Sequence, residues 1–218
     1  MNILNLYASL GGNRYKWNEV KNDIYVTAVE IDPEIAELYQ ERYPNDIVIV
    51  GDAHKYLREN YERFDFIWAS PPCPTHSKLQ LAWKNMKRRN FDMPYPDLKL
   101  YEEVIFLQHY FNGKYCVENV IPFYDPLIPA HKRGRHLYWT NFNLPNSLNG
   151  RKSPKDFDKG NIESLSEFHD YDFRKYKGKQ RLDVVAKDLV DYEAGRTIFE
   201  TMLGIIRNET INQIKMTL

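Results

Sequence analysis

Cysteine is scarce in this chain: Cys73 and Cys116 are its two thiols among 218 residues, and they fall in different expected elements. That argues against a structural disulfide, and neither belongs to a cluster of metal-ligating type, so no metal site is expected. Long apolar runs are missing too. No stretch approaches the length of a membrane span and the N-terminus lacks a basic-then-apolar leader, so the expectation is a cytoplasmic protein with no membrane partner. Neither sign of charge is in excess: thirty Lys and Arg balance thirty Asp and Glu, so no whole-molecule field announces a polyanion. Internal repeats and low-complexity tracts are absent as well. The length suits one sizeable core carrying a small appendage.

The first half alternates strand-like and helix-like segments. Asn2 to Ala8 reads as a strand and Gly11-Gly12 as the opening of a helix; Tyr25 to Ile31 is a second strand, followed by a helix from Glu34 to Tyr43 that Pro33 begins. Ile47 to Val50, Phe64 to Ala69 and Tyr115 to Glu118 continue the strands, with helices near His54 to Asn60 and Leu98 to Phe111 between them. This predicts an α/β fold, a mostly parallel sheet with right-handed crossovers and helices on both faces. His136 to Thr140 reads as a further strand and Asp191 to Asn208 as a terminal helix. The expected division is a core over 1–140, a small insertion over 141–180 and a C-terminal segment over 181–218 that returns to the core.

Within that pattern, Ser70-Pro71-Pro72-Cys73-Pro74 follows the buried-looking strand Phe64 to Ala69. Two prolines cannot donate to a ladder, so they end the strand and stiffen its exit. Ligands of open α/β sheets collect beyond the carboxyl ends of strands, where Cys73 is placed to attack; the plainer reading is a small buried hydrophobe. At the first strand's end, Tyr7-Ala8-Ser9-Leu10-Gly11-Gly12 puts paired glycines where backbone passes close to a ligand or turns with positive φ. The second strand ends in Glu30, able to accept from two ribose hydroxyls, and the third in Gly51-Asp52, able to accept from an adenine amine. Each acid alone reads as well as a cap or a solvated residue. In series, the three strand ends fit one adenosine laid across the sheet edge.

Two basic clusters are also present: Lys84, Lys87, Arg88 and Arg89, and Arg174, Lys175, Lys177, Lys179 and Arg181 with Tyr171, Phe173 and Tyr176 interleaved. Cations for phosphates and rings for bases are what a nucleic-acid groove needs. A solvated loop face explains either cluster equally.

Taken in order, these segments resemble the DNA (cytosine-5) methyltransferase family. The opening resembles its glycine-rich methyl-donor loop, Val29-Glu30-Ile31-Asp32 its ribose-binding acid, Gly51-Asp52 its adenine-binding aspartate and Pro71-Pro72-Cys73 its nucleophile loop. Glu118-Asn119-Val120 is similar to its Glu-Asn-Val signature, His131 to Arg135 to a motif with two alternate arginines, and Val184 to Val190 with Gly195 to the segment that closes the donor pocket. The resemblance implies a Rossmann-like fold binding S-adenosyl-L-methionine through Tyr7, Ser9, Leu10, Gly11, Gly12, Glu30, Ile31, Asp52, Ala53, Pro72 and Asp188. It implies Cys73 as nucleophile on carbon 6 of cytosine, Glu118 on the ring's nitrogen-3 and amine, and Arg133 and Arg135 near the ring carbonyl. Duplex DNA is the implied partner, with the target base flipped out and Thr75 to Asp92 as a loop closing over it.

The chain departs from the family pattern at several places. Ser9 stands where the donor loop usually has its first glycine, His131 replaces a glutamine, Pro74 follows Cys73 and Asp188 replaces an asparagine. Only about forty residues lie where a full target-recognition domain is usual. Two alternatives therefore stay open: the same chemistry on RNA, or a non-catalytic donor- or DNA-binding subunit that needs a partner chain for specificity.

Overall fold

The computed structural model describes residues 1–78, 81 and 94–205. Seven strands, β1 (Asn2–Leu6), β2 (Tyr25–Glu30), β3 (Ile47–Val50), β4 (Phe66–Ala69), β5 (Lys114–Val120), β6 (His131–Arg133) and β7 (His136–Thr140), form one sheet of order β3-β2-β1-β4-β5-β7-β6. The first five run parallel, and β7 is antiparallel to both β5 and β6. Helices α1 (Trp17–Val20), α2 (Pro33–Arg42), α3 (Ala53–Asn60), α4 (Lys99–Tyr110), α5 (Ile162–His169), α6 (Leu182–Lys187) and α7 (Tyr192–Met202) complete the frame.

Strand residues alternate between two apolar layers, because successive side chains point to opposite faces. Leu4, Leu6, Ile67, Ala69 and Val117 pack under Leu57 of α3 and Leu100, Val104 and Leu107 of α4. On the other face Ile3, Val26, Phe66 and Trp68 meet Trp17 of α1 and Ile198 and Phe199 of α7. There Trp17 stacks on Phe199 with ring centroids 5.1 Å apart. The sheet is thus covered on both sides, as expected of a parallel α/β sheet.

Helix starts follow their caps. Asp32 accepts from the Glu34 and Ile35 amides ahead of Pro33, and Asp52 accepts from Lys55. The glycine pair, by contrast, does not open a helix. Residues 11 to 16 turn tightly instead, and the helix that follows is only Trp17–Val20. Gly11 sits at φ +69°, and the buried guanidinium of Arg14 grips Asp46 through two bonds of 2.9 and 3.0 Å, anchoring the loop to the start of β3 instead of along a helix axis.

Residues 157–189 are less irregular than their composition suggests. Leu165, Phe173, Tyr176, Val185 and Leu189 pack with Leu10 of the turn after β1 and Ile35 and Leu38 of α2, building a third apolar cluster. Among the described residues, no helix is long and apolar enough to cross a membrane.

Candidate active site

Strand order reverses between β1 and β4, since β1 connects outward through β2 and β4 outward through β5; such a switch point opens a crevice at the carboxyl ends. The registers Leu6↔Val29, Leu6↔Ala69 and Ala69↔Val117 set four loops side by side. They carry, in spatial order, Glu30, the Tyr7–Gly12 loop, Cys73 and Glu118.

The Tyr7–Gly12 loop is wound through three positive φ values, Tyr7 at +56°, Ser9 at +45° and Gly11 at +69°. Ser9 thus occupies a conformation natural to glycine, which explains a glycine preference there, and its amide donates to Glu30 at 2.8 Å. The other Glu30 oxygen accepts from the Ile31 and Asp32 amides at 2.8 and 3.0 Å. Burial raises the Glu30 carboxyl above its usual range while these amides pull it back. Ile31, next to it, is 72% exposed, an apolar side chain held out at the site's rim. Asp52 is exposed and caps α3, which lowers its carboxyl, and Ala53 is buried beneath it. Leu10, Gly11 and Gly12 are buried because the chain returns over them: a Cβ on Gly12 would overlap the Val190 carbonyl oxygen, and one on Gly195 the Asn13 backbone.

Cys73 lies half-buried in the turn after β4, and its carbonyl accepts from the His76 and Ser77 amides at 3.0 Å. Pro72 beside it is exposed. The loop is fastened by Asn119, 2% exposed, whose side-chain nitrogen donates to the Pro71 carbonyl at 2.9 Å while its oxygen accepts from the Val120 amide. Desolvation first, then the charges of Asp188 and Glu118, push the Cys73 thiol up to about 12. Asp188 itself is raised to about 6 by desolvation in the cleft and by Glu30. Around the thiol the field is therefore negative, and Glu118, 7% exposed, has the His136 imidazole 3.6 Å from its carboxylate.

The two arginines are placed elsewhere. Arg133 donates to the carbonyls of Lys132, Leu144 and Pro145, so its guanidinium ties down the chain after β7 instead of reaching the thiol. Arg135 is exposed at the β6–β7 turn, with its guanidinium 5.0 Å from the centre of the Phe157 ring. The second basic-aromatic cluster is corrected in part: Phe173 and Tyr176 are core residues, so these rings are not free to stack on bases, while their basic neighbours Arg174, Lys175 and Lys177 stay at the surface. The first cluster, Lys84 to Arg89, and most of the Thr75 to Asp92 loop lie outside the described residues.

Reading the sequence missed Asn119 as a fastener, the Arg14–Asp46 pair and Glu103. Glu103 left a signal: it shares the Leu100, Val104 and Leu107 stripe of α4, so a carboxylate faces the core.

Residues 1–107 match the model of the C-5 cytosine-specific DNA methylase family. No match appears among curated proteins. Solved structures similar in fold include a triple mutant of Spodoptera frugiperda DNMT2, 19% identical with TM-score 0.41 over 66% of this chain and 51% of that one. A hypothetical protein of Thermus thermophilus is 18% identical with TM-score 0.40 over 64% and 73%, and TrmN of the same species is 14% identical with TM-score 0.38 over 55% and 33%. The matched segment, just under half of the chain, spans the Tyr7–Gly12 loop, both strand-end acids and the Pro-Pro-Cys turn, and over it the chain is similar to the C-5 cytosine-specific DNA methylases, which supports a methyltransferase.

Proposed function

We propose that the protein methylates carbon 5 of cytosine in duplex DNA, with S-adenosyl-L-methionine as donor and a covalent Cys73 adduct on a flipped-out base. The observation that carries this reading is the pinning of the Cys73 turn to the Glu-Asn-Val strand through Asn119 and Pro71. It sets the thiol one strand away from the buried Glu118 carboxylate.

The residues present suit the donor. Glu30 with Asp52 would hold the adenosine hydroxyls and amine, the exposed Ile31 would lie against the purine, and the loop from Tyr7 through Ser9, Leu10, Gly11 and Gly12 would surround the amino-acid end. Glu30, Asp188 and Glu118 supply negative charge suited to a cation. The donor's sulfonium supplies an electrophilic methyl group.

Carbon 5 of cytosine is a poor nucleophile until the ring is activated. The Cys73 thiolate would add to carbon 6, forming a carbon-sulfur bond and an enamine; carbon 5 would then take the methyl as the sulfonium's sulfur–methyl bond breaks and a neutral thioether leaves, and a water base would remove the carbon-5 proton as the 5,6 double bond re-forms and Cys73 departs as thiolate. Glu118 holds nitrogen-3 and the exocyclic amine where charge develops. Arg135, at the exposed hairpin turn, is the arginine we assign to the ring carbonyl. Residues 141–180 we assign to the target-facing side.

Duplex DNA carrying 5-fluorocytosine tests the proposal, because fluorine blocks the final elimination. A donor-dependent covalent adduct absent from Cys73→Ala supports it, and no adduct from a donor-binding wild type refutes it. The reduced region 141–180, where a full target-recognition domain is usual, motivates one second reading, structured RNA as substrate. An adduct formed with 5-fluorocytosine RNA and not with DNA would select that alternative.

A further inference from the structure

One carboxylate ties together the two halves of the donor pocket. Glu103, fully buried on α4, takes the Tyr7 hydroxyl on Oε1, and the same oxygen lies 3.1 Å from Nδ1 of His54. Tyr7 begins the loop after β1, while His54 follows Asp52 by two residues in the first turn of α3. These are the two strand ends assigned above to the donor's amino acid and its adenine. Oε2 of Glu103 has no hydrogen-bond partner among the described residues, and Glu103 borders a cavity of about 60 Å³ shared with His54, Leu57, Arg58, Glu102 and Phe106.

A carboxylate buried this completely is expensive unless charged or strongly donating groups face it. Purely structural needs would be met by an apolar residue in the Leu100–Leu107 stripe. We propose that Glu103 is a positioning residue for the methyl donor, which holds Tyr7 and His54 in register so that the donor loop and the Asp52 turn grip one ligand. The inference rests on the donor-binding reading above.

The groups facing this centre are Tyr7 and Asp52 from the strand ends, His54 and Arg58 on α3, Asp97 before α4, and Lys99 and Glu102 on α4. Glu103 and Glu102 favour protonated His54, against its partial burial, so its titration lies above the ordinary histidine value. Below that point His54 carries a proton toward Glu103 and the brace is complete. As pH rises through it the pair loses its charge assistance, and donor affinity falls.

The probe is S-adenosylhomocysteine, titrated calorimetrically into the full chain between pH 6 and 9. In the wild type affinity weakens as pH rises. Glu103→Gln binds about tenfold more weakly at pH 6, Tyr7→Phe shows a similar loss, and His54→Gln, which keeps a side-chain amide but cannot titrate, gives a flat pH profile. If Glu103→Gln misfolds, the Tyr7 and His54 variants decide alone. Wild-type affinity and wild-type pH slope in these variants would overturn the inference and leave donor binding standing, whereas a wild type that binds no probe overturns both.

Discussion

Replacing Asn119 by alanine should both destabilise the fold and disarm the thiol. The side chain makes two bonds of 2.9 Å, to the Pro71 carbonyl and from the Val120 amide, in a site only 2% exposed. Each orphaned buried group costs about 1–3 kcal/mol, so the expected loss for the two is about 2–6 kcal/mol by urea denaturation. Beyond stability, Pro71 leads directly into the Cys73 turn, and for the nucleophile proposed there a shift of about 1 Å can cost roughly 10²-fold in rate. Adduct formation with 5-fluorocytosine DNA, measured where the variant is fully folded, should fall by about that factor. Asn119→Asp is the sharper perturbation: it still accepts from Val120 but turns a carboxylate oxygen toward the Pro71 carbonyl, so the rate should fall as far as in the alanine variant with a smaller loss from the Val120 amide. Wild-type adduct rates in both folded variants would refute the claim that Asn119 places the thiol.

Two further outcomes follow from buried ionisable groups. His169 is depressed from 6.5 to about 3 by burial and by the cations Arg151 and Arg42, so it folds neutral. The unfolded chain binds its proton first as pH drops, and stability attributable to it is intact above pH 6.5 and lost progressively toward pH 3, by about 1.4 kcal/mol per unit. Asp188, raised to about 6, acts in the opposite direction, so the quantity to measure is the difference between wild type and His169→Phe: the difference should grow between pH 6.5 and 4.5, and a constant difference would contradict the assignment. For Cys73, a thiol at about 12 leaves little thiolate at neutrality. Iodoacetamide should label it about 10²–10⁴ times more slowly than a free thiol at pH 7.5, rising about tenfold per pH unit, with Cys73→Ala reporting the Cys116 background; rapid labelling of the ligand-free protein would show that the negative surroundings do not govern the thiol.

Much of the sheet was legible because its strands are short apolar runs ended by unmistakable punctuation. Ile47–Val50 and His136–Thr140 have the expected bounds, and Pro71 and Pro72 end β4 as their missing amides require. The short β6 was not legible, since His131–Arg133 is polar and becomes a strand only by pairing with β7. The segment after the glycine pair misled for a related reason: its conformation is set by Asp46, more than thirty positions later in the chain, and local propensity carries no trace of that partner. The same holds at the site. Strand-end acids and the cysteine could be named from their places along the chain, but the destination of a long side chain could not. Arg133 finds carbonyls contributed by residues eleven and twelve positions away, and Phe173 and Tyr176 turn inward because α2 offers apolar surface on which to pack.

The approach of Val190 to Gly12 and of Asn13 to Gly195 also bears on the order of assembly. The Gly12–Asn13 turn receives its cover from residues far later in the chain, and contacts of such sequence separation form late because a long loop must close before they contribute. The five parallel strands can associate while that loop is still open. Closure over the Tyr7–Gly12 loop then comes after sheet formation, and a chain interrupted before Val190 would hold a sheet and a cysteine turn but no roof over that loop.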